Sequence, residues 1–301
     1  IFRDTLIEKH NWRDTKPPLS GWAIAKVFEA TQDTSFVKTL YPKLKKYHQW
    51  WYDYRDHDGN GLCEYGSTDG TRVAAAWESG MDNAVRFDEA TMLTNEGGGF
   101  SLDQESVDLN AYLYAEKQYL ATCARIVGKP LDANLMVEEA LQLKALFKDT
   151  FYDPEKGFFF DRMLDGKMIE IYGPEGWIPL WAGLASKEQA AAMLTHLMDE
   201  TKFNTKVPFP TLDASHEKFN PKNGYWRGPV WLDQAYFAIE GLERYGYKHE
   251  ARQLKKKLFT NAEGLLTDEP IRENYHPTTG EGLNAKHFSW SAAHLLMLIR
   301  E

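Results

Sequence analysis

The sequence is short of the features that mark most binding and membrane classes. Two cysteines, Cys63 and Cys123, stand in 301 residues. They carry no metal-ligand spacing and need not pair, so they do not choose between a reducing and an oxidising compartment. No run approaches the roughly 18 apolar residues that span a bilayer, and no signal peptide precedes Ile1, so the expectation is a soluble chain of open location. Positive charge is scarce: 35 Lys and Arg against 44 Asp and Glu give a net charge of −9. The run Lys43, Lys45, Lys46 is too short to reverse that balance, which excludes a phosphate-binding surface and a nucleic-acid partner. Strand signals are few. The clearest is Gly157-Phe158-Phe159-Phe160-Asp161, expected to pair with Lys167-Met168-Ile169 as a small hairpin within a loop.

What the chain has in abundance is helix and aromatic rings. From Phe36 the set Phe36, Val37, Leu40, Tyr41, Leu44, Tyr47, His48 and Trp51 repeats at i, i+3, i+4 and predicts one apolar stripe; Pro42 should start a turn or kink the helix. Further helices are predicted near 19–31, 105–127, 133–151, 187–199, 229–245, 248–260 and 288–300. Ser186-Lys187-Glu188-Gln189 forms a capping box for one of them, and Pro229 is expected at the first turn of another. Long connections rich in Gly, Asp, Asn, Pro and Trp span 56–104, 152–178, 201–228 and 264–287, and long loops of this kind are usually functional. Helical hairpins joined by short turns on one side and long loops on the other predict an all-α toroid with one working face; an irregular helical solenoid is the alternative. The 10 Trp, 15 Tyr and 16 Phe exceed ordinary core needs, and rings interleaved with carboxylates and Arg suit the alternating C–H faces and hydroxyl rims of sugars.

Four loop motifs concentrate chemistry. The run from Trp77 to Asp88 brings together Glu78, Asp82, Asn83, Arg86 and Asp88 between Trp77 and Phe87. It is either a solvated acidic turn or a buried cluster, in which case burial raises a carboxyl toward the range of a general acid. Arg272-Glu273-Asn274-Tyr275-His276-Pro277-Thr278-Thr279-Gly280-Glu281 offers Glu273 or Glu281 as a second carboxylate. Gly224-Tyr225-Trp226-Arg227-Gly228-Pro229-Val230-Trp231 leads into a helix, and Gly173-Pro174-Glu175-Gly176-Trp177 is a tight turn or a pocket wall.

The runs Trp77 to Asn83, Gly224 to Trp231 and Glu273 to Gly280, together with the closing Phe288-Ser289-Trp290-Ser291-Ala292 and all in family order, resemble glycoside hydrolase family 63. The resemblance implies a catalytic (α/α)6 barrel spanning 1–301, action with inversion on an α-glycoside, Asp82 as general acid and Glu273 as general base. It also implies that the first barrel helices precede Ile1, where the chain begins in a helix-like segment. Two acids on separate loops of one face suit an inverting glycosidase, with Asp82 protonated and Glu273 ionised beside Asn274 and Arg272. Trp77, Arg86, Trp177, Tyr225, Trp226, Arg227 and Trp231 would then contact the sugar, Arg227 donating to hydroxyls or to an anionic aglycone. The expected partner is a small carbohydrate, an α-glucoside or α-mannoside such as a disaccharide, an oligosaccharide or a glycosylglycerate. A trehalase- or glucoamylase-like hydrolase of the same fold, or a non-catalytic carbohydrate-binding relic, are the rivals. Oligomeric state is not legible.

A separate run, Asp56-His57-Asp58-Gly59-Asn60-Gly61-Leu62-Cys63-Glu64, reproduces the first half of an EF-hand loop: oxygen ligands Asp56, Asp58 and Asn60, a Gly at the sixth place and the Leu62 carbonyl at the seventh. The twelfth position is Ser67, not Glu, so a carboxylate must come from Glu64 or Glu105. A structural calcium, which the resembled family also implies, competes with a plain Asp/Asn/Gly turn; no organic cofactor is implied.

Overall fold

A computed structural model describes residues 15–300, so the helix-like start at Ile1 lies outside the described residues. Ten helices follow in order: α1 Ser20–Thr31, α2 Thr34–Tyr54, α3 Arg72–Glu78, α4 Val107–Ile126, α5 Pro130–Thr150, α6 Ile178–Ala182, α7 Lys187–Met198, α8 Leu232–Arg244, α9 Lys248–Asn261 and α10 Ser289–Arg300. Local signals explain several of their ends. Asp33 caps α2 by accepting from the Ser35 and Phe36 amides, and Ser186 and Gln189 close the expected capping box on α7, each cap contributing about 1 kcal/mol. Pro42 does not break α2. The helix continues through it, and burial of Val37, Tyr41, Leu44, His48 and Trp51 on one face offsets the single lost backbone bond.

The helices sort into an inner and an outer set. Nearly all of α4 and α8 and the whole of α6 are buried, whereas α2, α5, α7 and α9 each bury one stripe. The inner row runs α1, α4, α6, α8, α10 by direct packing, with α5 against α4 and α9 against α8. Chain order thus alternates inner and outer helix, the pattern of an (α/α)6 toroid. Trp22, Trp181, Tyr112, Tyr236 and Phe237 fill the inner row with edge-on and tilted ring contacts about one ring diameter apart. Each such pair adds about 0.5–1.5 kcal/mol to simple burial.

The long connections carry short strands: β1 Gly66–Ser67, β2 Met92–Thr94, β3 Phe100–Leu102, β4 Gln104–Glu105, β5 Tyr152–Asp153, β6 Phe158–Phe159, β7 Asp161–Met163, β8 Met168–Ile169, β9 Arg272–Tyr275 and β10 Gly282–Lys286. The expected hairpin forms out of place. Phe158 and Phe159 pair backward with Asp153 and Tyr152, and only Asp161 onward meets Met168 and Ile169. Three consecutive phenylalanines on a buried segment leave no alternation from which to read the register. Two helix starts also move. Glu105 belongs to β4, paired with Arg162, so α4 begins at Val107. Pro229 precedes a bridge in which Val230 pairs with Tyr275, so α8 begins at Leu232. That bridge places the 224–231 loop against β9.

Candidate active site

Glu78 and Arg86 lock the loop that follows α3 at both ends. Glu78 is buried and takes two bonds from Arg55, Nε to Oε1 at 2.7 Å and Nη2 to Oε2 at 2.8 Å; the Gly66 amide adds a third at 2.9 Å. At the far end the fully buried Arg86 forks onto Asp108 with two bonds of 2.8 Å and reaches Asp161 at 3.1 Å. Bidentate guanidinium–carboxylate pairs fix direction as well as distance. Between these anchors Gly80, at φ 79°, turns the chain and presents Asp82 half-buried. Burial raises the Asp82 carboxyl above its ordinary value, the Lys16 charge draws it partly back, and the negative charge of Glu273 adds a smaller upward push. The two carboxyls therefore share one electrostatic neighbourhood.

Glu273 sits on the β9–β10 hairpin, whose register slips between Leu283 and Lys286. A bulge re-aims the groups around it. With Asn284 at φ 56°, the Ala285 amide donates to Glu273 Oε2 at 3.2 Å. The Tyr225 hydroxyl donates to Oε1 at 2.8 Å, so the side chain is arranged as an acceptor on both oxygens. Tyr225 itself occupies the left-handed region at φ 61°, costly for an aromatic residue and tolerated where surrounding bonds over-determine it. Those bonds come from Asn83, beside the acid. Its Nδ2 donates to the Gly224 carbonyl at 3.0 Å, its Oδ1 accepts from the Trp226 amide at 3.0 Å, and its own carbonyl accepts from Arg227 Nε at 2.7 Å. A continuous path thus runs from Asp82 through Asn83 and the 224–227 loop to Tyr225 and Glu273.

The aromatic and basic residues expected to contact sugar divide into two groups. Trp77 is 53% exposed next to the acid loop, and Tyr225 faces Glu273. Trp226 and Trp231 are buried and stacked, with centroids 4.0 Å apart, and they back Trp290, which is 39% exposed. Four expectations are corrected: Trp226 and Trp231 have no face open to sugar, and Trp177 and Arg86 are likewise turned inward. Trp177 is wholly buried between Phe203 and Phe209, with its Nε1 on the Gln234 carbonyl, and so belongs to the core. Arg86 is consumed by Asp108 and Asp161. Arg227 binds both oxygens of Asp88 at 2.5 and 3.2 Å, which holds the loop, and its side chain stays partly exposed. Glu281, the alternative second carboxylate, is exposed and paired with Lys222 at 3.3 Å outside this network. Sequence alone assigns no role to Asn83, Asp88 or Trp290, although the first two lie in the acidic run and Trp290 in the closing motif.

The acidic loop 56–64 folds around its own side chains. Asp58 accepts from the Asn60 amide and side chain, Asn60 Nδ2 also reaches Glu105 Oε1 at 2.6 Å, and Asn60 Oδ1 accepts from the Leu62 amide at 2.8 Å. Asp56 accepts from the Gly61 amide, and Glu64 from the His57 amide. Burial raises Asp56, Glu64 and Glu105 above their ordinary values, and the negative charge of Asp58 raises all three further. Among the described residues no group of three or more His, Cys, Asp or Glu side chains converges as a metal shell. Asp56 Oδ1 and Glu64 Oε1 are nonetheless buried without a hydrogen-bond donor, the condition a hard cation relieves.

Comparison with known proteins agrees with the fold. The family model for the mannosylglycerate hydrolase MGH1-like glycoside hydrolase domain matches residues 3–291. Mannosylglycerate hydrolase MGH1 of Selaginella moellendorffii is 27% identical over 93% of this chain and 64% of its own length. The mannosylglycerate hydrolase of Thermus thermophilus is 26% identical over 95% of this chain and 77% of its own length. The crystal structure of a GH63 mannosylglycerate hydrolase from Thermus thermophilus in complex with glucose superposes with a TM-score of 0.79 at 24% identity, over 96% of this chain and 76% of that one, and has the same fold. This chain spans about 64% of the length of the Selaginella enzymes.

Proposed function

The chain belongs to glycoside hydrolase family 63, as a mannosylglycerate hydrolase MGH1-like domain, and on that premise we propose that it hydrolyses an α-mannoside or α-glucoside with inversion, Asp82 serving as acid and Glu273 as base. The observation that carries this is the shared frame of the two carboxyls. Asp82 is raised by burial, which favours the protonated form an acid needs. Glu273 accepts two donors and is thereby oriented. In the reaction Asp82 gives its proton to the glycosidic oxygen as the C1–O bond breaks. Water attacks C1 from the opposite face and gives its proton to Glu273, so the sugar leaves with inverted configuration. The relatives named for mannosylglycerate make a glycosylglycerate the first substrate to try.

Hydrolysis of a panel of α-mannosides and α-glucosides, including glycerate conjugates and disaccharides, with the first-formed anomer followed by NMR, tests the reading. Release of the β-anomer is expected. Release of the α-anomer contradicts inversion, and sugar binding without turnover favours a non-catalytic module.

We further propose a structural calcium in the acidic loop, with Asp56, Asp58, Asn60, the Leu62 carbonyl, Glu64 and Glu105 as its candidate oxygen donors. The two orphaned carboxylate oxygens support it. The ion would neutralise three raised carboxyls and brace the start of α4, supplying no chemistry. A chelator should lower the melting temperature and calcium should restore it; an unchanged melting temperature removes Asp56, Asp58 and Asn60 as ligands.

A further inference from the structure

Helix α2 carries a second stripe, set apart from the buried one. Lys43, Lys46, Tyr47, Trp50, Asp53 and Tyr54 recur at three- and four-residue spacing, which keeps them on one helical face for about 16 Å. They line a groove of about 610 Å³ almost by themselves, and neither Asp82 nor Glu273 lines it. Its rings are held in place before anything binds. The Arg55 guanidinium, wholly buried and bonded twice to Glu78, lies over the Trp50 ring at 4.8 Å. The Tyr54 ring meets Trp50 with centroids 5.7 Å apart, and Gly97 stands so close to Tyr54 that a Cβ there would touch its ring. Charge along the stripe is uneven. Lys45 turns to Asp132 at 2.9 Å, but the exposed Lys43 and Lys46 form no ion pair or hydrogen bond among the described residues. Asp53, toward the other end, accepts from Gln49 Nε2 at 2.9 Å. In a chain of net charge −9, two neighbouring uncommitted ammonium groups beside an aromatic floor favour a ligand that is anionic and has an apolar face.

Sugars that bear acid groups have that form: each pyranose offers a C–H face to an indole or phenol ring, and its carboxylate takes an ammonium partner. We propose that the α2 groove is a carbohydrate site separate from the Asp82–Glu273 pair, for a short acidic oligosaccharide. Trp50 and Tyr54 carry the sugar faces, Lys43 and Lys46 pair with carboxylates, and Asp53 accepts from hydroxyls. The length of the stripe suits several linked rings better than a single one. Because Arg55 already fixes Trp50, little side-chain freedom is left to lose on binding. Binding there is independent of the reaction at Asp82 and Glu273.

Binding decides this without turnover. The full chain is titrated calorimetrically with trigalacturonate and with its methyl ester, the uncharged counterpart, and the titrations are repeated on the double variant Lys43→Gln/Lys46→Gln and on Trp50→Ala. Trigalacturonate should bind more tightly than the ester. The double variant should weaken trigalacturonate about tenfold, as expected for two partly exposed ion pairs, and leave the ester in place. Trp50→Ala should weaken both probes about tenfold or more, since both present the same sugar faces. Because Trp50 also packs on Arg55, Tyr54→Ala repeats the aromatic test, and unchanged circular dichroism of each variant separates loss of binding from loss of fold. No binding of trigalacturonate, equal affinity for acid and ester, or affinity for the acid unchanged in the lysine variant overturns the proposal. So does binding that survives both aromatic substitutions, which would place the sugar elsewhere on the molecule.

Discussion

The two halves of the site are held by opposite means. The acid loop hangs between two buried ion pairs, Arg55–Glu78 and Arg86–Asp108–Asp161, that reach into α2, α4 and β7. Glu273, the proposed base, stands on a bulged two-stranded hairpin and is positioned by a tyrosine hydroxyl and one amide. The contrast matches the chemistry each side has to do. An acid that must hold its proton near neutral pH needs burial, and a buried loop needs its own charges cancelled to stay folded. A base that must accept a proton from water needs donors and access, which a half-exposed strand supplies.

The largest effects should fall on the carboxyls themselves. Asp82→Asn and Glu273→Gln are each expected to lower kcat about 10²–10⁴-fold on a natural-type glycoside, read by steady-state kinetics, with folding intact by circular dichroism. The next effect separates the halves by stability. Arg86→Met leaves Asp108 and Asp161 buried without their partner and should cost about 3–5 kcal/mol in urea unfolding, whereas Glu273→Gln should stay within about 0.5 kcal/mol of the parent. Equal losses would erase the distinction between an anchored and a lightly held side. Tyr225→Phe removes one donor from Glu273 and should lower kcat/KM about tenfold with little change in melting temperature; a large drop in melting temperature would make Tyr225 a scaffold residue.

A pH-dependent effect lies outside both loops. Glu116 on α4 accepts from the Gly21 amide at 2.9 Å, and burial raises its carboxyl to about 8. Because the folded value lies above the ordinary 4.5, the stability tied to the neutral form is complete below pH 4.5 and lost as pH rises through about 8. Glu116→Gln should flatten that decline in melting temperature, which runs from about pH 4.5 to about pH 8. Parallel pH curves for the two proteins would show that Glu116 does not titrate there.

Much of the fold could be read from periodicity because each helix writes its own stripe, as Val37, Tyr41, Leu44, His48 and Trp51 do on α2, and because caps such as Ser186 are local. The toroid followed from the alternation of short turns and long connections. The site was legible as a set of loops and as two carboxyls, but not in the roles of its aromatic and basic residues. Composition counts rings without saying which face they turn. Trp177 is core and Trp77 exposed, and nothing within either motif distinguishes them. Arg227 finds Asp88 across 139 residues of chain, a pairing no local spacing encodes.

The division of labour between Asp82 and Glu273 is tested most directly by leaving group. Each variant is assayed on two glycosides of the same sugar, one with an alkyl aglycone and one with 2,4-dinitrophenol, whose departure needs no proton. Asp82→Asn should lose the alkyl glycoside and keep most of its rate on the dinitrophenyl one, while Glu273→Gln should lose both. Equal impairment of Asp82→Asn on the two substrates, or survival of Glu273→Gln on either, would contradict the assignment of acid and base.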